Sequence, residues 1–187
     1  MRHTRVLAWT GSAVALLSLT TGAETAGGEE GRTFTVAGLE FTAPEGWEKL
    51  KPASPMRKAE FKAPGKEGEE AGEVAFFFFG EGKGGSVEAN VERWYGQFEE
   101  PKDQIEAKSE TRERNGKKVT LVRARGTFLS GPPIGAKTPK PGYALLGAIL
   151  EGEDGPVFVK FTGPAGVVEK GEKDFLAMVL ELPHDET

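Results

Sequence analysis

The chain has 187 residues, with 29 acidic against 24 basic side chains, a formal charge of −5 and no cysteine. A surface of that sign repels phosphate backbones and anionic lipid, so nucleic-acid or membrane-surface binding is not the expected role. The missing thiols exclude disulfides, thiolate metal ligands, cysteine nucleophiles and a lipoprotein attachment site.

Arg2, His3 and Arg5 precede an apolar run from Val6 to Leu19 and the small-residue exit Thr21-Gly22-Ala23, the three-part layout of a secretory signal peptide. The run is too short to span a bilayer comfortably, so cleavage after Ala23 is expected, with an uncleaved anchor as the alternative. Cleavage removes Arg2 and Arg5 and no acid, which takes the formal charge from −5 to −7. Residues 24–32 hold nothing apolar larger than Ala26 and read as a flexible lead-in. Residues 33–183 suit a single domain, with a tail over 184–187. No second segment is long enough to cross a membrane, so the expected product is soluble and exported, periplasmic or extracellular.

Phe34 to Val36 and Leu39 to Phe41 alternate about Ala37-Gly38 and predict two short strands around a tight turn. Pro44-Glu45-Gly46 is a β-turn signal that delivers Trp47 as a core anchor. Met56 to Phe61 predicts a strand, ended by Pro64 and an acidic loop from Gly65 to Gly72 that lacks the ligand alternation of a calcium loop. Val74 to Phe79 does not alternate; its four consecutive phenylalanines put apolar bulk on both faces and predict a central strand covered on each side. Gly80 to Gly85 is then a turn into a helix capped by Ser86, with Val87, Val91, Trp94 and Phe98 at helical spacing before Pro101.

Asn115-Gly116 is a strong hairpin signal, and it predicts that Glu106 to Arg114 and Lys117 to Leu129 pair antiparallel. A two-residue turn would place Glu113 opposite Lys118 and Glu106 opposite Arg125, so the arginines there are neutralised across strands. Gly131 to Gly142 reads as a long proline-rich loop and as a candidate partner contact. Tyr143 to Leu150 and Val157 to Phe161 follow as near-continuous apolar strands about Asp154-Gly155. Pro164 opens a last helix with Val168, Gly171, Phe175, Met178, Val179 and Leu182 on one stripe, ending near Pro183.

Chemistry is sparse. Gly80-Glu81-Gly82-Lys83-Gly84-Gly85 satisfies G-x-G-x-x-G between a strand and a helix, yet a dinucleotide unit needs a second buried parallel strand, and Glu106 to Arg114 is polar and leads into a hairpin. A simple anion contact at Gly84, Gly85 and Ser86 remains as the alternative. His184 is the single histidine after cleavage, so zinc sites and Ser-His-Asp triads cannot be assembled, and no cofactor is expected. Carboxylate-only hydrolysis stays open because acids are plentiful. A small-ligand binder also stays open, and would need a cavity beside Trp47 or Trp94.

Pro44-Glu45-Gly46-Trp47, Met56-Arg57-Lys58-Ala59-Glu60-Phe61 and the phenylalanine strand resemble the opening of PsbP-like domains. Trp94-Tyr95-Gly96-Gln97-Phe98 and Pro139-Lys140-Pro141-Gly142-Tyr143 look like a group of exported bacterial proteins of unassigned function. The resemblance implies an α+β fold, a central antiparallel sheet covered by helices on both faces in an α-β-α sandwich, and a docking or assembly role without catalytic residues. The preferred reading is an exported, non-enzymatic binding module for a protein or envelope component. Its candidate contacts are Pro132, Pro133, Ile134, Lys137 and Lys140 in the long loop, beside the Gly84 to Ser86 turn.

Overall fold

The computed structural model describes residues 32–132 and 134–181. The leader over 1–23 with its cleavage site, residues 24–31 of the lead-in, Pro133, the helix end at Leu182 and Pro183, and the 184–187 tail lie outside them. A hairpin of β1 (Thr33–Val36) and β2 (Leu39–Thr42) stands apart as a two-stranded sheet. It is followed by β3 (Glu48–Leu50), β4 (Arg57–Ala63), β5 (Gly72–Phe78), α1 (Val87–Tyr95) and a 3-10 turn over Lys102–Gln104. The chain ends in β6 (Lys108–Arg114), β7 (Lys117–Ser130), β8 (Thr138–Gly152), β9 (Gly155–Pro164) and α2 (Ala165–Leu180). Strands β3 to β9 form one antiparallel seven-stranded sheet in the order β3-β4-β5-β9-β8-β7-β6, an α+β arrangement with two helices.

Local chemistry explains most of the boundaries. Ala37 and Gly38, and Asn115 and Gly116, all have positive φ, which is what two-residue turns matched to strand twist require. The second of these turns sets Arg114 opposite Lys117 and Glu113 opposite Lys118, as expected. The expected Glu106–Arg125 pair does not form, because β6 begins at Lys108 opposite Arg123 and the chain turns away at Glu106, where φ is 51°. Arg125 instead meets Glu169 of α2 at 2.8 Å, and Arg123 pairs with Glu172.

Three expected boundaries move. A short strand, β3, follows Trp47, which packs on Phe161 with ring centroids 5.4 Å apart. Helix α1 stops at Tyr95 rather than Phe98, and Phe98 goes on to bridge Phe128 of β7. The predicted loop from Gly131 to Gly142 is only half a loop: Thr138 to Gly142 belong to β8, with Ser130 opposite Thr138, Leu129 opposite Pro139 and Phe128 opposite Lys140. Pro139 and Pro141 are tolerated there because β9 pairs with β8 only from Tyr143 onward, so this stretch is a two-stranded arm with an open side.

The double-faced pattern of β5 is matched by its neighbours. Val74, Phe76, Val157, Val159, Phe161, Leu146 and Leu150 join an apolar cluster with Val36 and Phe41 of the hairpin and Val168, Phe175, Met178 and Val179 of α2. Residues of the opposite parity, Leu145, Ile149, Val122, Ala124 and Phe158, cluster with Val91, Trp94 and Tyr95 of α1 and with Phe98. Both sets are almost wholly withdrawn from solvent, with Val74, Phe76, Leu145, Ile149 and Phe161 at 0% exposure.

Candidate functional site

The two groups of residues singled out by the sequence fall at different ends of α1. Gly84 and Gly85 have φ of 101° and 82°, so the backbone takes the left-handed turn that glycine permits. A Cβ on Gly84 would lie 2.9 Å from Phe158, which means that the turn is pressed onto the sheet. Two of its carbonyls and its hydroxyl are engaged within the turn. The Ala89 N–H donates to Ser86 Oγ at 3.2 Å, and Asn90 Nδ2 donates to the carbonyls of Gly84 at 2.7 Å and Ser86 at 2.8 Å. Pro132, Ile134, Lys137 and Lys140 lie on the β7–β8 arm, and Ile134 is 92% exposed at its tip. Lys137 Nζ donates to the carbonyls of Gly131 and Pro132, and Lys140 Nζ meets the Glu70 carboxylate at 3.2 Å.

Gly131, Lys137 and Lys140 border a groove of about 730 Å³ that the sequence did not announce. One bank is the end of α1, with Arg93, Gly96 and Gln97; the other is formed by Arg57 and Glu73 of β4 and β5 together with Glu70. The arm supplies Phe128 and Tyr143, and β9 supplies the floor with Lys160 and Thr162. Neither Trp47 nor Trp94 lines it. Trp94 is packed instead over Gly147, where a Cβ would come within 2.2 Å of its ring.

Lys160 is the unusual member. It interrupts Val157-Phe158-Val159-Lys160-Phe161, and its cross-strand neighbours are Ala75 on β5 and Gly147 on β8, the small side chains that leave room for it. Burial, reinforced by the Arg57 charge and only partly offset by Glu73, lowers its amine to a pKa of about 8. Its Nζ donates to Gln97 Oε1 at 2.5 Å and stands 5.6 Å from the centre of the Phe128 ring. Five cationic side chains, Arg57, Arg93, Lys137, Lys140 and Lys160, thus share the groove with two carboxylates. Arg57 pairs with Glu73 and Lys140 with Glu70. Among the described residues no carboxylate lies within salt-bridge distance of Arg93, Lys137 or Lys160.

The two acids are held ionised or paired. A hydrogen bond from Tyr143, then one from Lys140, lowers Glu70 below the usual carboxylate range. Burial, followed by the same carboxylate, raises the Tyr143 phenol. Lys160 was missed because near-continuous apolar runs draw attention to packing. The available signal was a single charge inside such a run, since lysine is among the residues least often buried without a partner.

A cavity of about 190 Å³ beside α2 is spanned by the Arg123–Glu172 and Arg125–Glu169 pairs. Among the described residues no group of three or more His, Cys, Asp or Glu could hold a metal ion, and no helix is long and apolar enough to cross a membrane.

No family model matches the chain, and no curated protein matches it. Solved structures similar to it include a Pseudomonas aeruginosa protein of unknown function, at 12% identity and a TM-score of 0.45, covering 83% of this chain and 97% of that one. They also include cyanobacterial PsbP from Synechocystis sp. PCC 6803, at 16% identity and a TM-score of 0.46, covering 75% of this chain and 82% of that one.

Proposed function

We propose that the chain is an exported, non-enzymatic binding module whose groove receives an anionic group of its partner, a protein or another envelope component. The observation that carries this reading is the Lys160 amine, set in the groove floor with an amide oxygen as its hydrogen-bond acceptor and no carboxylate within salt-bridge distance, Glu73 acting on it only from farther off. A partly buried cation without a directly paired counter-ion is costly, and an incoming anion would supply that partner. The Gly131 to Gly142 segment keeps its place as a contact, since Gly131, Lys137 and Lys140 border the same groove. The hydrolase alternative is disfavoured by the same charges. Glycoside hydrolysis needs one carboxyl kept protonated, whereas Glu70 is driven the other way and Glu73 is paired with Arg57.

The sandwich architecture belongs to this reading as well. The opposite strand parities contacted by α1 and α2 support helices on opposite faces, with the groove in the part of the sheet that the nine-residue α1 leaves uncovered.

Titration of the isotopically labelled protein with acetate and with inorganic phosphate at pH 7 tests the assignment. Amide shifts should move for Gln97 and for Lys160 to Gly163, and Lys160→Met should weaken binding at least tenfold. Equal binding by the variant would remove the groove from the account.

A further inference from the structure

We infer that the outer edge of the sheet is a contact surface for a second copy of this chain, with β6 of one molecule pairing antiparallel to β6 of the other about a two-fold axis at Thr111. β6 has β7 on one side and, among the described residues, no strand on the other, and six of its seven residues are exposed. The register shows which of its backbone groups are free. Arg114 stands opposite Lys117 across the two-residue Asn115-Gly116 turn, so these two exchange hydrogen bonds, and by alternation Arg112, Glu110 and Lys108 also bond to β7. The N–H and C=O groups of Ser109, Thr111 and Glu113 therefore point away from the sheet, and among the described residues none of them has a backbone partner. A strand related to β6 by that axis takes them up as hydrogen-bonded pairs, Thr111 with Thr111 at the centre and Ser109 with Glu113 on either side.

The side chains choose the register. A charged edge ordinarily resists pairing, but Lys-Ser-Glu-Thr-Arg-Glu-Arg is complementary to its own reverse. With the axis at Thr111, Glu110 of each copy lies opposite Arg112 of the other. The same two side chains already meet within one strand at 3.1 Å, so pairing closes them into a square of alternating charge. Lys108 lies opposite Arg114, whose guanidinium already holds the Glu181 carboxylate, so that contact is not between two bare cations. Moving the axis to Glu110 sets Glu110 against its own copy and Arg112 against Lys108, and moving it to Arg112 sets Arg112 against its own copy. Each neighbouring register thus places like charges on the axis. A trough of about 640 Å³ along the strand, bordered by Lys108, Glu110, Arg112 and Arg123, gives the side chains of the second copy room. The contact is smaller than a standard interface, so the dimer is a weak one that forms at high protein concentration.

Sedimentation equilibrium of the full chain at pH 7, at protein concentrations up to about 1 mM, tests the pairing. The average mass should rise from that of one chain towards that of two, and less steeply in about 0.5 M salt than in about 0.05 M. Thr111→Pro removes an outward N–H and none that β7 uses, so it should weaken association roughly 10-fold or more while the far-ultraviolet circular dichroism stays native. Two exposed charge changes give a second reading that does not depend on a proline being tolerated. Glu110→Arg alone and Arg112→Glu alone should each weaken self-association, because each sets like charges opposite one another. An equal mixture of the two variants restores both opposite pairs and should associate roughly 10-fold more tightly than either variant by itself. A chain that stays monomeric at about 1 mM overturns the inference. So does a mixture that associates no more tightly than its components, or a folded Thr111→Pro variant that dimerises like the unaltered chain.

Discussion

Arg114 is a buried cation and Lys160 a half-buried one, and the fold treats them differently. The Lys160 pKa is depressed from 10.5 to about 8, chiefly by burial, so the folded state binds its proton less tightly than the unfolded chain does. The penalty of holding the charged amine is fully present below pH 8. It is relieved as pH rises from about 8 to 10.5, where the folded state is neutral and the unfolded state is not. Lys160→Met should therefore raise the melting temperature at pH 7, with the gain shrinking across that window and vanishing above it. Melting curves of both proteins between pH 6 and 11 check this, and a constant difference would mean that the amine is not the source. Arg114, by contrast, is a clamp. Its Nε donates to Glu181 at the end of α2 at 3.2 Å, its Nη2 donates to the Glu40 carbonyl of β2, and its guanidinium lies 4.8 Å from the Phe41 ring. The side chain is 7% exposed and ties the β1–β2 hairpin to the half-exposed Glu181, so Arg114→Ala should cost roughly 1.5–3 kcal/mol in urea unfolding, the scale for losing hydrogen bonds to a charged group.

Elements meet where side chains are missing. Trp94 rests on the sheet because Gly147 offers no Cβ, and this contact sets the height of α1 above Lys160. Gly147→Ala would drive a methyl group into the indole and lift the helix. A loss of about 1–3 kcal/mol and a changed Trp94 fluorescence are expected from overpacking of that kind, whereas Gly166→Ala in α2, whose Cβ would meet only Glu69 Oε1 at 3.7 Å, should leave that fluorescence unchanged. The sequence reveals such elements unevenly. The β6–β7 hairpin is legible because Asn115-Gly116 fixes both turn and register locally, and α1 is legible from Ser86 and its apolar spacing. The arm is not, because Pro139 and Pro141 signal a loop and nothing local states that β9 ends beside Tyr143 and frees one side of β8. The Glu106–Arg125 pairing failed for a similar reason. Ile105, fully buried, accepts a hydrogen bond at its carbonyl from the Arg125 N–H at 2.7 Å, and that anchor ends the ladder before Glu106 can pair.

The groove exists only at the scale of the whole molecule. Lys160 and Gln97 are 63 residues apart and Lys140 and Glu70 are 70 apart, and sheet order, with β9 between β5 and β8, is what brings them together. Periodicity and turn chemistry describe the strands but not their neighbours, so the fold class was readable while this site was not. The same geometry gives the arm a measurable part in binding. Phe128 to Ser130 and Thr138 to Lys140 pair with each other beyond the end of β9, so their amides exchange through local opening of the arm, without unfolding of the seven-stranded sheet. An anion held in the groove between the arm and Lys160 must leave before the arm opens. At a ligand concentration of 100 Kd, exchange of the arm amides should slow about 100-fold, the factor that mass action sets for a state the ligand must vacate. The β1–β2 hairpin is remote from the groove, so amides there that exchange by local fraying should keep their rates. Hydrogen exchange with and without saturating inorganic phosphate reads both segments in one experiment. Unchanged rates in the arm would place the ligand elsewhere, and equal slowing in the hairpin would mean that both segments exchange through opening of the whole fold.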